Sequence, residues 1–159
     1  MNICEQVAAH INDAYNGNNW TEVNLANTLA DVNYTEAITV TKASPNTIAM
    51  LVHHLKFYNE IVLKRLQGSN PKLSNANGFD IPLIENEEQW KQLVEDCLQS
   101  AKKLAEATTV FPAEKLGSIP NDGHTTMYKN LHGIAEHAHY HIGQITIIKK
   151  LLRLRSCLN

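Results

Sequence analysis

The stretch TTMYKNLHGIAEHAHYHIGQITIIKKLLRLR, residues 125–155, decides the expected fold. Its apolar side chains recur every three or four residues, which is the period of an amphipathic helix with one buried face. We therefore predict one long helix from about Thr125 to about Arg155. The predicted buried face consists of Met127, Leu131, Ile134, Ala138, Ile142, Ile145 and Leu152.

Two further segments in the first half of the chain have the same period. The first predicted helix runs from about Ile3 to Tyr15. The second has signals at both ends: Ser44 is a good N-cap residue, Pro45 suits the first helical position, and Gly68 is typical of the position just after a helix. Between the two, the pattern predicts a short helix around Asn24–Asp31.

A long polar loop, Ser69–Glu85, separates the second helix from the third. Loops of this length are uncommon in compact domains unless they are functional or mobile. Asn86, followed three positions later by Gln89, resembles a capping box and predicts a third long helix that ends before Pro112. Four long amphipathic helices without strand periodicity predict an all-α protein, a four-helix bundle, in which residues 1–159 form a single domain.

Composition limits the function classes. A net charge of −2 does not fit a nucleic-acid-binding domain, which is usually strongly basic. The longest strictly apolar run, Ile48–Val52, is far too short to span a membrane, so no membrane partner is expected. Cys4, Cys97 and Cys157 are scattered and lack metal-binding spacing, which indicates a reducing, cytoplasmic location and no thiolate zinc site.

The chain has eight histidines, and five of them lie within residues 124–141. His137 and His141 are four residues apart and therefore share one face of the predicted helix. On the second helix, His54 is nearer the edge of the apolar face, whereas His53 points away from it. The spacing thus proposes a metal site formed by His54, His137 and His141, with His53 as the alternative to His54.

Three neutral imidazoles suit zinc, nickel, iron or copper better than magnesium or calcium. Three protein ligands leave coordination positions for water or a substrate, as in catalytic sites. The alternative is that these histidines share a face by chance in a histidine-rich helix, with their side chains solvated or packed. The HExxH motif, which is the stronger helical signal for zinc, is absent. Glu136 is either a partner of the site or a solvated side chain, Tyr58 either lines the site or packs in the core, and Cys97 is expected in the core.

Three strings carry a resemblance to a known family: TIAMLVHHL at residues 47–55, LKRLQG at 63–68, and HAHYHIGQI at 137–145. They resemble, in order and along nearly the whole chain, the DinB/YfiT-like superfamily of four-helix metalloproteins. The resemblance implies an all-α four-helix bundle of the DinB/YfiT-like type, and homodimers are common in that family.

The resemblance also implies a divalent transition metal, usually zinc or nickel, held by one histidine of the second helix and two of the fourth. Position by position, these are His54, His137 and His141. The motif further implies that Gly143 allows close helix approach and that Gln144 forms a hydrogen bond near the site.

Relatives in this superfamily include enzymes that use a low-molecular-weight thiol such as bacillithiol or mycothiol. The leading hypothesis is therefore a metal-dependent thiol S-transferase, in which the metal favours the thiolate and the substrate is a small molecule. Two alternatives stay open. One is a hydrolase that uses metal-bound hydroxide, and the other is a non-catalytic metal-binding stress protein.

Overall fold

A computed structural model of the chain describes residues 1–69, 71–120 and 123–156. Within these ranges it contains six α-helices and no strand, so the prediction of an all-α protein is confirmed. The helices are α1 Ile3–Asn16, α2 Leu25–Leu29, α3 Tyr34–Ile38, α4 Ile48–Leu66, α5 Glu87–Thr109 and α6 Met127–Ser156, and a single 3₁₀ turn covers Ala113–Lys115.

The four long helices, α1, α4, α5 and α6, form the bundle. α1 and α4 each pack against both α5 and α6, which places α1 and α4 at opposite corners of the bundle. Their apolar faces meet in one continuous core that includes Ile11, Leu55, Trp90 and Ile145. Cys97 is fully buried in this core, as expected, and burial raises the pKa of its thiol. Cys157 lies outside the described residues.

The start of α4 differs from the prediction. The N-cap is Thr47, whose hydroxyl accepts a hydrogen bond from the Met50 amide at 3.2 Å, so the assignment of Ser44 as N-cap and Pro45 as first helical residue is wrong. The Ser44 hydroxyl instead accepts from the Asn46 amide in a local turn. Gly68 ends the helix as predicted, with a φ of +85° that suits glycine.

The bounds of the other long helices agree with those predicted from the apolar pattern to within a few residues. Asn86 caps α5 by accepting from the Gln89 amide, but the Gln89 side chain accepts from the Glu85 amide, so the predicted capping box is incomplete. α2 lies inside the predicted Asn24–Asp31 segment. α3 was not predicted, although the sequence carries a signal for it: Asn33 Oδ1 accepts from the Glu36 amide and the Glu36 side chain accepts from the Asn33 amide, which is a capping box.

Ion pairs hold the segment of α2 and α3 against α6. Asp31 accepts from Lys149 at 2.8 Å and from Arg153 at 2.6 Å, and Glu36 accepts from Arg153 at 2.8 Å. The bonds from the two cations hold the pKa of Asp31 at about 2. No helix among the described residues is both long enough and apolar enough to cross a membrane.

A chain of buried hydrogen bonds crosses the centre of the bundle. The Tyr15 hydroxyl on α1 donates to Asn59 Oδ1 on α4 at 2.8 Å, and Asn59 Nδ2 donates to the Ser100 hydroxyl on α5 at 3.0 Å. Asn59 is completely buried. Because a buried amide oxygen needs a donor, this bond fixes α1 relative to α4.

Tyr15→Phe is expected to lower the free energy of unfolding by about 1–3 kcal/mol, because it leaves Asn59 Oδ1 buried without a donor. Urea unfolding followed by circular dichroism measures the loss. Tyr128→Phe is the matched control, since Tyr128 is exposed on α6. Equal stabilities of the two variants would contradict the role given to the Tyr15–Asn59 bond.

Candidate metal centre

Three histidines from two helices converge between α4 and α6. His54 comes from α4, and His137 and His141 come from successive turns of α6. The Nε2 atom of His137 lies 3.0 Å from Nε2 of His54 and 2.8 Å from Nε2 of His141. Among the described residues, these three form the one group of histidine, cysteine or acidic side chains whose geometry could hold a metal ion. We call this group the triad.

The other ring nitrogens of the triad determine its protonation. His54 Nδ1 is 2.7 Å from the Asn77 carbonyl oxygen, and His141 Nδ1 is 2.7 Å from Gln144 Oε1. These oxygens only accept, so each Nδ1 carries the proton and each Nε2 presents a lone pair to the centre of the triad. The hydrogen bond expected of Gln144 is therefore present, and Gln144 is itself held by donating to the Tyr140 hydroxyl.

The proton count leaves the centre short of donors. A neutral His137 has one N–H, and its Nε2 can donate to either His54 or His141 but not to both in good geometry. At least one of the Nε2 lone pairs of His54 and His141 is therefore left without a donor. A cation placed among the three nitrogens would interact favourably with all of them, which is how the residues present fit a transition metal.

Distances agree with this fit. Zinc–nitrogen bonds are about 2.0–2.1 Å long, so two nitrogens bound to one ion lie at most about 4.2 Å apart. Both Nε2 separations from His137 are within that limit. The donor set consists of imidazoles alone, which suits zinc or nickel and not magnesium or calcium.

Burial keeps the triad neutral, which is the form that binds metal. Desolvation lowers the pKa of all three histidines, and for His137 the pKa falls to about 3, with the neighbouring His141 and His54 adding to the effect. Imidazole ligands must be deprotonated. The site therefore needs no proton release from its ligands near neutral pH.

The loop before α5 covers the His54 side of the triad. The Phe79 ring stacks on the His54 ring with centroids 4.1 Å apart, and the Asn77 side chain accepts from the Tyr58 hydroxyl at 2.7 Å. Tyr58 also contacts the rings of His54 and His137 edge-on, so it lines the site. The sequence predicted a functional or mobile loop here but gave no role to Asn77 or Phe79; the Asn77-Gly78 dipeptide is the turn signal that marks the place.

His53 contacts the same loop but not the triad. Its Nδ1 is 2.7 Å from the Gly78 carbonyl oxygen, next to the carbonyl that holds His54. Neighbouring backbone carbonyls thus hold the two neighbouring histidines, and only His54 faces α6. Of the two alternatives left open by the sequence, the structure brings His54 together with His137 and His141.

The remaining histidines lie elsewhere. His10 of α1 stacks on His132 of α6, as surface side chains. His139 Nδ1 donates to the Ala135 carbonyl within α6. Glu136 is exposed and lies 3.3 Å from His132 Nδ1, so it is not a partner of the triad. The expectation that Gly143 allows close helix approach is wrong: Gly143 is exposed, and a Cβ added to it would meet no atom of another described helix within 4 Å.

A cavity of about 340 Å³ extends from the triad between α4 and α6. Its lining consists of Tyr58, Val62, Arg65, Thr125, Lys129, Asn130, Gly133, Ile134 and His137. We call it the α4–α6 cavity. It gives the site space for a small molecule next to His137.

The apoprotein is expected to lose stability as the pH falls from about 7.5 to about 5.5. The folded-state pKa of His137 lies below the unfolded value of 6.5, so below 6.5 the unfolded state binds protons that the folded state does not. Urea unfolding in the presence of a chelator measures the effect. His137→Gln should reduce the pH dependence, and an equal dependence in this variant would contradict the assignment. Asp31 and Glu36 do not interfere, because their pKa values lie below this range.

Gly78→Ala is expected to weaken metal binding about 10- to 100-fold, because Gly78 belongs to the loop that orients His54. Gly78 has a φ of +78°, and an added Cβ would lie 2.7 Å from Cβ of Phe57. Competition with a chromophoric chelator measures the affinity. Gly117→Ala is the control, since its Cβ would meet nothing. Unchanged affinity in Gly78→Ala would show that the loop does not position the ligand.

Comparison with known proteins gives a family match. A family model of the DinB superfamily matches residues 18–145, a range that begins after α1 and includes the whole triad. Comparison with curated protein sequences and with solved structures gives no match. The matched range covers most of the chain and confirms the resemblance found in the sequence. The chain belongs to the DinB superfamily.

Proposed function

We propose that the protein binds a divalent transition metal, zinc or nickel, through His54, His137 and His141, and that it is a metal-dependent thiol S-transferase. The observation that carries the proposal is the convergence of three Nε2 atoms without enough protons to satisfy them. The Nδ1 bonds of His54 and His141 hold these rings in the ligating orientation, as in known metal sites.

The metal would lower the pKa of a bound thiol and so supply a thiolate near neutral pH. The chain supports this chemistry in two ways. The α4–α6 cavity provides room for a small molecule beside His137. Phe79 and Tyr58 cover the His54 side and exclude water from it, which strengthens electrostatic interactions there.

The overall reaction joins a thiol R–SH to a small electrophile R′–X. The sulfur–carbon bond forms, the bond from carbon to X breaks with its electron pair leaving on X, and the thiol proton is released to solvent or to X. No oxidant or reductant is required. Low-molecular-weight thiols are kept reduced in the cytoplasm, and we propose that the protein acts there.

The α4–α6 cavity favours this activity over the alternatives. A hydrolase that uses a carboxylate as its general acid or base would need an aspartate or glutamate near the metal, and the described lining contains neither. A non-catalytic metal-binding protein needs no cavity beside the ligands. The space beside His137 therefore supports an enzyme that accepts a substrate.

Elemental analysis of untagged protein tests the metal. Wild type is expected to retain near-stoichiometric transition metal, and His54→Ala and His141→Ala are expected to lose it. His53→Ala is the comparison variant: it removes a bond to the loop but no member of the triad, so it should retain more metal than His54→Ala. Loss of metal in His53→Ala with retention in His54→Ala would contradict the ligand set.

Turnover is the second readout. Metal-loaded protein is assayed with several low-molecular-weight thiols and reactive electrophiles, against the chelated protein and His141→Ala. The proposal expects thiol-conjugate formation that requires both the metal and His141. A rate that never exceeds that of the metal-free protein with any pair would reject the transferase. If that inactive protein still held its full complement of metal, the result would favour the alternative of a non-catalytic metal-binding protein.

A further inference from the structure

The two ends of the α4–α6 cavity differ in charge. One end is formed by His137 of the triad, and the other by Arg65 near the end of α4 and Lys129 near the start of α6. Two cations and no acidic side chain line the described cavity, and neither cation forms an ion pair with a described carboxylate. The end far from the triad is therefore positively charged.

Arg65 is held in place without being neutralised. Its Nη1 donates to Asn130 Oδ1 at 2.6 Å, and Asn130 Nδ2 in turn donates to oxygens of Thr125 and Thr126. An amide partner fixes the guanidinium but leaves its charge uncompensated. The other N–H groups of a guanidinium form a planar fork that matches a carboxylate.

The distance between the ends defines the ligand. Asn130 and His137 are seven residues apart on α6, which is about 10 Å along the helix. Between them the cavity is lined by Val62, Ile134 and Gly133, and a Cβ on Gly133 would meet nothing. The middle of the cavity is thus neutral and open.

We infer that the thiol used by this protein carries a carboxylate about 10 Å from its sulfur. The carboxylate binds Arg65, with Lys129 adding charge at the rim, while the sulfur points to the triad. This inference rests on the proposed function and extends it, because it assigns the substrate class and gives Arg65 the role of a specificity-determining residue.

Thiol binding to cobalt-loaded protein tests the inference, because the thiolate-to-cobalt charge-transfer band reports sulfur on the metal. The probes are glutathione and its diethyl ester, in which both carboxylates are neutralised. Glutathione is expected to bind about tenfold or more tightly than the ester. N-acetylcysteine and its methyl ester are the length control, since that carboxylate is too close to the sulfur to reach Arg65.

Arg65→Gln is expected to remove the preference for glutathione over its ester while leaving the cobalt content unchanged. Lys150→Gln is the matched control, an exposed lysine of α6 outside the cavity, and should keep the preference. Equal affinity of wild type for glutathione and its ester would overturn the inference, as would a preference that survives in Arg65→Gln.

Gly133→Leu provides a test that does not alter charge. The new side chain would occupy the cavity, and thiol affinity should fall with no change in cobalt content. Gly143→Leu is the control on the same helix, because its side chain would extend into open space outside the cavity. Unchanged thiol affinity in Gly133→Leu would contradict the position of the ligand.

The outcomes separate this inference from the proposed function. A charge-transfer band of equal strength for acids and esters rejects the carboxylate site and supports the thiol chemistry. Absence of the band with all four thiols rejects the proposed function and the inference with it.

Discussion

The packing of α4 against α6 is the contact on which the candidate site depends. His54 lies near His137, while Arg65, eleven residues later on α4, bonds Asn130, seven residues earlier on α6. The two helices therefore run in opposite directions with a fixed register. One helix pair thus forms both the triad and the α4–α6 cavity. A one-residue change of register would turn side chains by about 100° and separate the histidines.

Much of the fold and the triad could be predicted because short-range spacing determines them. The period of the apolar residues identified all four long helices, and a separation of four residues placed His137 and His141 on one face. The same counting of faces favoured His54 over His53, and the structure brings His54 to the triad while His53 bonds the loop. Each of these inferences needed only the geometry of a regular helix.

The rest depends on interactions that spacing does not specify. The oxygen that holds His54 is a backbone carbonyl of Asn77, and every residue has such a carbonyl, so the sequence marks only the turn. Ser44 and Thr47 are both good N-cap residues three positions apart, and the local turn at Ser44 left Thr47 as the cap. Phe79 reaches His54 because the irregular loop folds back over α4, which periodicity cannot describe.

The bond between the loop and His54 has a consequence for how metal affinity can vary. The imidazole of His54 contacts both the loop and the other two histidines: Nδ1 donates to the Asn77 carbonyl, and Nε2 lies next to Nε2 of His137. Ordering of the loop and occupancy of the site are therefore thermodynamically coupled, and the coupling acts equally in both directions. For the proposed metal site, chains with an identical triad would therefore differ in metal affinity according to how much their loops must order.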